Sequence, residues 1–168
     1  MNIFVSYSPA DIDFVSAVVS QLCANNTALM YCDADTIRTS GGGQEELRAA
    51  IAHADVVLVF WCHHSFTSYD VRKESTFALE QGKDIVPLLL DGAPLPRTLA
   101  DRRCIDFRAR VGAIHEGSPD QDDPNKLAQR VEADRRIASN LSRQYEDLLV
   151  MSVAREIETE LASRFGPQ

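Results

Sequence analysis

The sequence predicts an α/β protein whose parallel sheet is covered by helices on both faces. Three observations predict it. Short apolar runs alternate with stretches of helical periodicity from Ile3 to Phe107. The connections between them are short, as between neighbouring elements of one sheet. The run from Val56 to Trp61 is apolar at every position, as a central strand buried on both faces requires. The 168 residues fit one domain of ordinary size and can bury a core without disulfide or metal.

Ile3 to Tyr7 reads as the first strand. Asp11 stands as N-cap to a helix with Ile12, Val15, Val18, Val19 and Leu22 at helical spacing. Ala28 to Cys32 is the second strand, and Asp33 to Gly43 reads as a polar loop closing on three glycines. Gln44 to His53 is the second helix, with Leu47, Ala50 and Ile51 inward. The third strand, Asp55 to Trp61, leads through a surface loop to a third helix, Val71 to Gln81, which Gly82 stops. Ile85 to Leu90 is the fourth strand. Pro87 has no donor for the ladder, which places this strand near an edge or at a bulge. Cys104 to Phe107 is a short fifth strand.

Gly112 to Asn125 reads as an acidic exposed loop. From Asn125 nearly to Arg164 the chain is helix-forming, with a break expected near Asn140. The division is therefore a domain over 1–140 and a helical extension over 141–168. The first of the two helices is expected to cover the sheet, and the second to be surplus to the core. That second helix exposes Leu149, Val153, Ile157 and Leu161 unless they pack on the domain or on another copy.

The net charge of −8 argues against broad binding to nucleic acid or to an anionic membrane. Cys23, Cys32, Cys62 and Cys104 are scattered, without CxxC spacing, and read as reduced, buried thiols of a cytoplasmic protein. Met1-Asn-Ile-Phe-Val-Ser enters a strand directly, unlike a signal peptide, and no apolar run is long enough to span a membrane.

Several segments hold groups able to bind or react. Phe4-Val-Ser-Tyr-Ser-Pro-Ala-Asp11 puts the hydroxyls of Ser6, Tyr7 and Ser8 at the carboxyl end of strand one. They can hold a nucleotide sugar or phosphate, or simply cap the next helix. Ser40-Gly-Gly-Gly43 admits close approach of a phosphate to backbone ahead of a helix, yet no GKS or GKT follows. It can equally be a mobile loop. In Trp61-Cys-His-His-Ser65 the adjacent histidines diverge and no third ligand stands at metal spacing, so no metal is expected. A Ser65–His64 nucleophilic pair lacks an orienting acid. Glu74 shares a helical face with Asp70 and Val71, while Arg72 and Lys73 are expected to turn to solvent. A glutamate early in a helix also stabilises its dipole without further role.

Taken together, three segments resemble the Toll/interleukin-1 receptor (TIR) domain family, bacterial type. They are Phe4 to Asp11, Ala49-Ala-Ile-Ala-His-Ala-Asp-Val-Val-Leu-Val-Phe60 and Ser68-Tyr-Asp-Val-Arg-Lys-Glu-Ser-Thr-Phe-Ala-Leu79. Gly82-Lys-Asp-Ile-Val-Pro-Leu-Leu-Leu90 follows in the same order, and the resemblance spans about residues 1–140. It implies a flavodoxin-like three-layer sandwich on a central parallel five-stranded sheet, here with an additional C-terminal helix. The segment Asp33 to Gly43 then corresponds to the family's BB loop, which contacts neighbouring copies and gates the pocket.

Many TIR domains cleave NAD+ at the nicotinamide–ribose bond, giving nicotinamide with ADP-ribose or a cyclic form, in prokaryotes as anti-phage signalling. The resemblance assigns the catalytic carboxylate to Glu74. Ser6, Ser8, Ser65 and Ser68 become candidates for ribose or phosphate contacts, and Ile37 and Tyr69 for packing against nicotinamide. Tyr7 and Asp70 complete the candidate substrate-binding set. Asp70 occupies the position, four before the glutamate, where the family often carries an aromatic residue; Tyr69 is one place earlier. The resemblance implies no cofactor beyond NAD+ as substrate. Its implied partners are NAD+, further TIR domains through self-association, and a downstream effector that senses the product. The alternatives are a non-catalytic TIR–TIR adaptor and, more distantly, an enzyme acting on free nucleosides.

Overall fold

The computed structural model describes residues 1–25, 30–39, 41, 43–110 and 146–165. Five parallel strands form one sheet in the order β2-β1-β3-β4-β5. They are β1 (Asn2–Ser6), β2 (Met30–Asp33), β3 (Val56–Trp61), β4 (Asp84–Leu89) and β5 (Ile105–Asp106). The chain steps outward from β1 to β2 and then returns to the other side of β1 for β3. The carboxyl ends of β1 and β3 therefore flank the crevice where such sheets bind ligands.

β3 is buried at all six positions, pairing with β4 from Val56 to Trp61 and with β1 from Val56 to Val59. Its alternating side chains supply two cores. Val56, Leu58, Phe60 and Cys62 point to one face with Ile3 and Val5 of β1. Val57, Val59 and Trp61 point to the other with Phe4. β4 is second from the edge. Pro87 pairs in register with Val59, and β5 joins β4 only from Leu88 onward. The ladder bond that proline cannot make therefore faces no strand.

On the first face lie α1 (Ile12–Asn25), through Val15, Val18 and Leu22, and a C-terminal helix over 146–165. On the second lie α3 (Gln44–His53), through Ile51, and α5 (Tyr69–Glu80), through Val71 and Ala78. Gly82 ends α5 with φ 66°, and the Lys83 N–H donates back to the Ala78 carbonyl at 3.0 Å.

Three expectations are corrected. The segment after β2 is not a loop throughout, because α2 (Ala34–Thr39) forms there. Asp33 starts it: its carboxylate accepts the Thr36 N–H at 2.8 Å and the Thr36 hydroxyl at 2.8 Å. The segment after β3 is also helical, as α4 (His63–Thr67), and α5 starts two residues earlier than expected because Ser68 caps it by accepting the Val71 N–H.

The C-terminal helix is the third correction, since it is part of the core. Leu149, Val153, Ala154, Ile157 and Leu161 are all buried against the β1/β3 face. They belong to the same buried cluster as Val5, Leu58 and Phe60, so removing them strips five apolar side chains from the core on that face. The expected acidic loop, the helix from Asn125 and the break near Asn140 lie outside the described residues.

One buried group has a testable cost. The Tyr31 hydroxyl is buried with no described hydrogen-bond partner, and burial pushes its pKa well above the usual phenol range. Tyr31→Phe removes the unpaired oxygen. The expected result in urea unfolding is unchanged or higher stability, by up to about 1 kcal/mol; a loss larger than that would reveal a partner for the hydroxyl.

Candidate functional site

α5 carries a carboxylate where its packing stripe calls for an apolar side chain. Val71, Glu74, Ser75 and Ala78 form the buried i, i+3, i+4, i+7 face of this helix. Glu74 is 3 % exposed. A buried carboxylate needs hydrogen-bond donors, and one is Ser6: its Oγ donates to Glu74 Oε2 at 2.6 Å from the carboxyl end of β1. Ser75, beside it, donates to its own helix at the Val71 carbonyl.

Glu74 opens onto a cleft of about 400 Å³ between α3 and α5. Asp70, one turn before it, also lines this cleft, together with Gly43, Gln44, Arg48, Lys73 and Phe77. Lys73 does not turn fully to solvent as expected. It is half-buried, and its Nζ donates to Gln44 Oε1 at 2.6 Å across the cleft. Arg48 lies with its guanidinium carbon 5.2 Å from the centroid of the Phe77 ring. Two cations, Arg48 and Lys73, and three carboxylates, Asp70, Glu74 and Glu80, thus line one concave surface. Gly43 precedes α3 at the rim, where its N–H donates to Glu46 Oε2 at 2.8 Å.

The remaining candidates are dispersed. Ser8 accepts the Ala10 N–H and caps the 3-10 turn Pro9–Asp11. The Tyr7 hydroxyl reaches Asp33 at 3.4 Å. Ser65 is fully buried and donates to the Phe60 carbonyl at 2.7 Å, anchoring α4 to the end of β3. Ser68 is the cap of α5. Ile37 packs against the core cluster that contains Phe4 and Trp61. Tyr69 is 70 % exposed, with the Lys73 ammonium 5.9 Å from its ring centroid. The fold therefore places Asp70 and Glu74 at one cleft, with Ser6 fully buried and hydrogen-bonded to Glu74, while Ser8, Ser65 and Ser68 secure helix starts. Gln44, Arg48, Lys73 and Phe77 were not singled out from the sequence as site residues. Their signal was positional only: at i, i+4 on α3 and i, i+4 on α5, they face one another across two helices that pack together.

A parallel sheet of order 2-1-3-4-5, with a buried carboxylate at the β1 end and a cleft above it, defines a flavodoxin-like α/β protein with a candidate ligand site. The model of the TIR domain family matches residues 3–122, and the chain belongs to that family. A solved structure of the TIR domain of the Toll-related receptor TRR-2, from the lower metazoan Hydra magnipapillata, is similar in fold. Its TM-score is 0.55 at 18 % identity, covering 62 % of this chain and 82 % of that one. No curated protein matches. No described helix is long and apolar enough to cross a membrane.

Proposed function

We propose that this TIR domain cleaves NAD+ at the nicotinamide–ribose bond, with Glu74 as the catalytic carboxylate. The observation that carries this reading is the placement of Glu74: nearly dry, held by Ser6 at the end of β1, and facing a cleft that also contains cations. Nicotinamide in NAD+ is already a cationic leaving group, so departure needs no metal and little acid assistance. The barrier lies in positive charge developing on the ribose. A carboxylate fixed in a poorly solvated site lowers the energy of that charge most where water screens it least. This is half of the two-carboxylate logic of glycosidases.

Arg48 and Lys73 suit the pyrophosphate of the dinucleotide. Lys73→Ala is expected to raise KM for NAD+ roughly tenfold with kcat little changed, the loss of one charge-assisted contact of about 1.5 kcal/mol. An unchanged KM would remove Lys73 from the binding surface. Trapping of the ribosyl cation by water gives ADP-ribose; trapping by a nucleophile of the same dinucleotide gives a cyclic product. The dryness of the bound state decides between them.

The reading extends to anti-phage signalling in a prokaryotic cytoplasm, with self-association completing the site and a downstream effector sensing the product. The adaptor reading draws on Tyr69 and Phe66, both exposed aromatic side chains near the start of α5. NAD+ consumption at high protein concentration, with the product identified by chromatography and mass, separates the two. Cleavage lost in Glu74→Gln supports the enzyme, and no cleavage in a folded, self-associated sample supports the adaptor.

A further inference from the structure

We propose that Asp11, Cys62 and His64 form a site for one divalent transition-metal ion of the zinc class, on the opposite side of the sheet from Glu74. The three residues are far apart in sequence and meet at the β1/β3 crevice. Asp11 ends the 3-10 turn after β1, Cys62 follows β3, and His64 sits in the first turn of α4. One carboxylate oxygen, the thiol sulfur and an imidazole nitrogen lie within 4.8 Å of one another. Asp11 Oδ2 is 2.9 Å from Cys62 Sγ, and Asp11 Oδ1 is 2.8 Å from His64 Nδ1. Oxygen, sulfur and nitrogen donors in one cluster match the borderline-soft preference of zinc and its neighbours, not that of magnesium or calcium.

The surroundings favour a cation. The site opens into a cavity of about 610 Å³ that Asp13, Asp91, Glu146 and Asp147 also line, and none of its described lining residues is a lysine or an arginine. An anionic concavity concentrates cations. Cys62 occupies the N-cap position of α4, where its Sγ accepts the Ser65 N–H at 3.5 Å. Burial and the Asp11 carboxylate hold the sulfur as a thiol in the absence of an ion, its pKa pushed up to about 11, so the ion has to displace its proton. The His64 side chain is 55 % exposed, so it has room to adjust around an ion, while Asp11 at 12 % is held. Three protein ligands leave a further coordination position toward the cavity.

The exchange balances without any redox step. Without the ion, protons link the cluster: Cys62 donates to Asp11, and a ring proton is shared between His64 and Asp11. On binding, the ion takes the sulfur lone pair, and the thiol proton leaves to solvent. The Nδ1 proton exchanges with solvent, so that the neutral imidazole carries its one proton on Nε2 and coordinates through Nδ1, and one Asp11 oxygen completes the set. The ion would tie the turn after β1 to α4, which leads directly to Ser68, the cap of the helix that carries Glu74. The site does not depend on the NAD+ reading.

The test is titration of the full, metal-free chain with Co²⁺. The expected result is one ion per chain with a sulfur-to-cobalt charge-transfer band, displaced by Zn²⁺, and a Zn²⁺-dependent rise in the unfolding midpoint. Cys62→Ser should abolish the band. His64→Ala, at an exposed side chain that the core does not need, should weaken binding on the order of tenfold or more. Cys23→Ser, which removes an exposed thiol elsewhere, should change nothing. No charge-transfer band in the wild type, or affinity unchanged in His64→Ala, would overturn the proposal. So would a band that survives Cys62→Ser and disappears with Cys23→Ser.

Discussion

Glu74→Gln is expected to reduce NAD+ cleavage by about 10²-fold or more while leaving the unfolding midpoint nearly unchanged. The amide is close in shape to the carboxylate, and its oxygen can still accept the 2.6 Å hydrogen bond from Ser6 Oγ. What disappears is the negative charge, and with it the stabilisation of the ribosyl cation. Because the group is almost fully removed from water, that charge acts through a lower effective dielectric than on an open helix face. Ser6→Ala is the companion. It keeps the charge but removes a donor that orients it, so a smaller loss, mainly in kcat, is expected. Steady-state rates with product identification measure both. Full activity in Glu74→Gln in a folded sample would end the assignment of this residue and direct attention to Asp70 and Glu80, the other carboxylates on α5 at the same cleft.

Removing the C-terminal helix is expected to abolish cooperative folding. Val153, Ala154 and Ile157 are fully buried, and Leu149 and Leu161 nearly so, in the cluster that contains β1 and β3. Ile157→Ala alone should cost about 2–5 kcal/mol in urea unfolding. That is a large part of the total stability of a typical domain, about 5–15 kcal/mol. A chain ending at Asn140 loses all five side chains from the core on that face. Weak near-ultraviolet dichroism and binding of a hydrophobic dye should follow. A truncated chain that unfolds cooperatively at the wild-type midpoint would show that the helix is dispensable. The helix is thus a fold element before it can be an oligomerisation surface. Its exposed apolar residues are Leu148 and Met151, not the four that periodicity singled out.

Much of the scaffold was legible because it follows from local chemistry. The β3 run is apolar on both faces, and α3 spans the residues that its periodicity marked. The helix after β2 was not legible. Three nearby glycines and a polar composition masked the Asp33-to-Thr36 cap that starts it. α4 was missed for a similar reason: its start is capped by a thiol, and Cys is not among the usual N-cap residues. Lys73 was read as solvated because a helical wheel gives direction but no neighbour, and its neighbour is Gln44 of a different helix.

By itself, the sequence determined the order of the five strands and of the helices α1, α3 and α5 between them, the buried central strand and the carboxylate of α5. Each depends on the spacing of apolar and polar residues over a few turns, which the chain carries locally. Only the tertiary structure decided that Glu74 faces Ser6, sixty-eight positions away, and that Asp11 meets Cys62 and His64. It also decided that the last helix belongs to the core. These are contacts between elements brought together by the sheet, and their partners are selected by the burial of surfaces that no local pattern identifies.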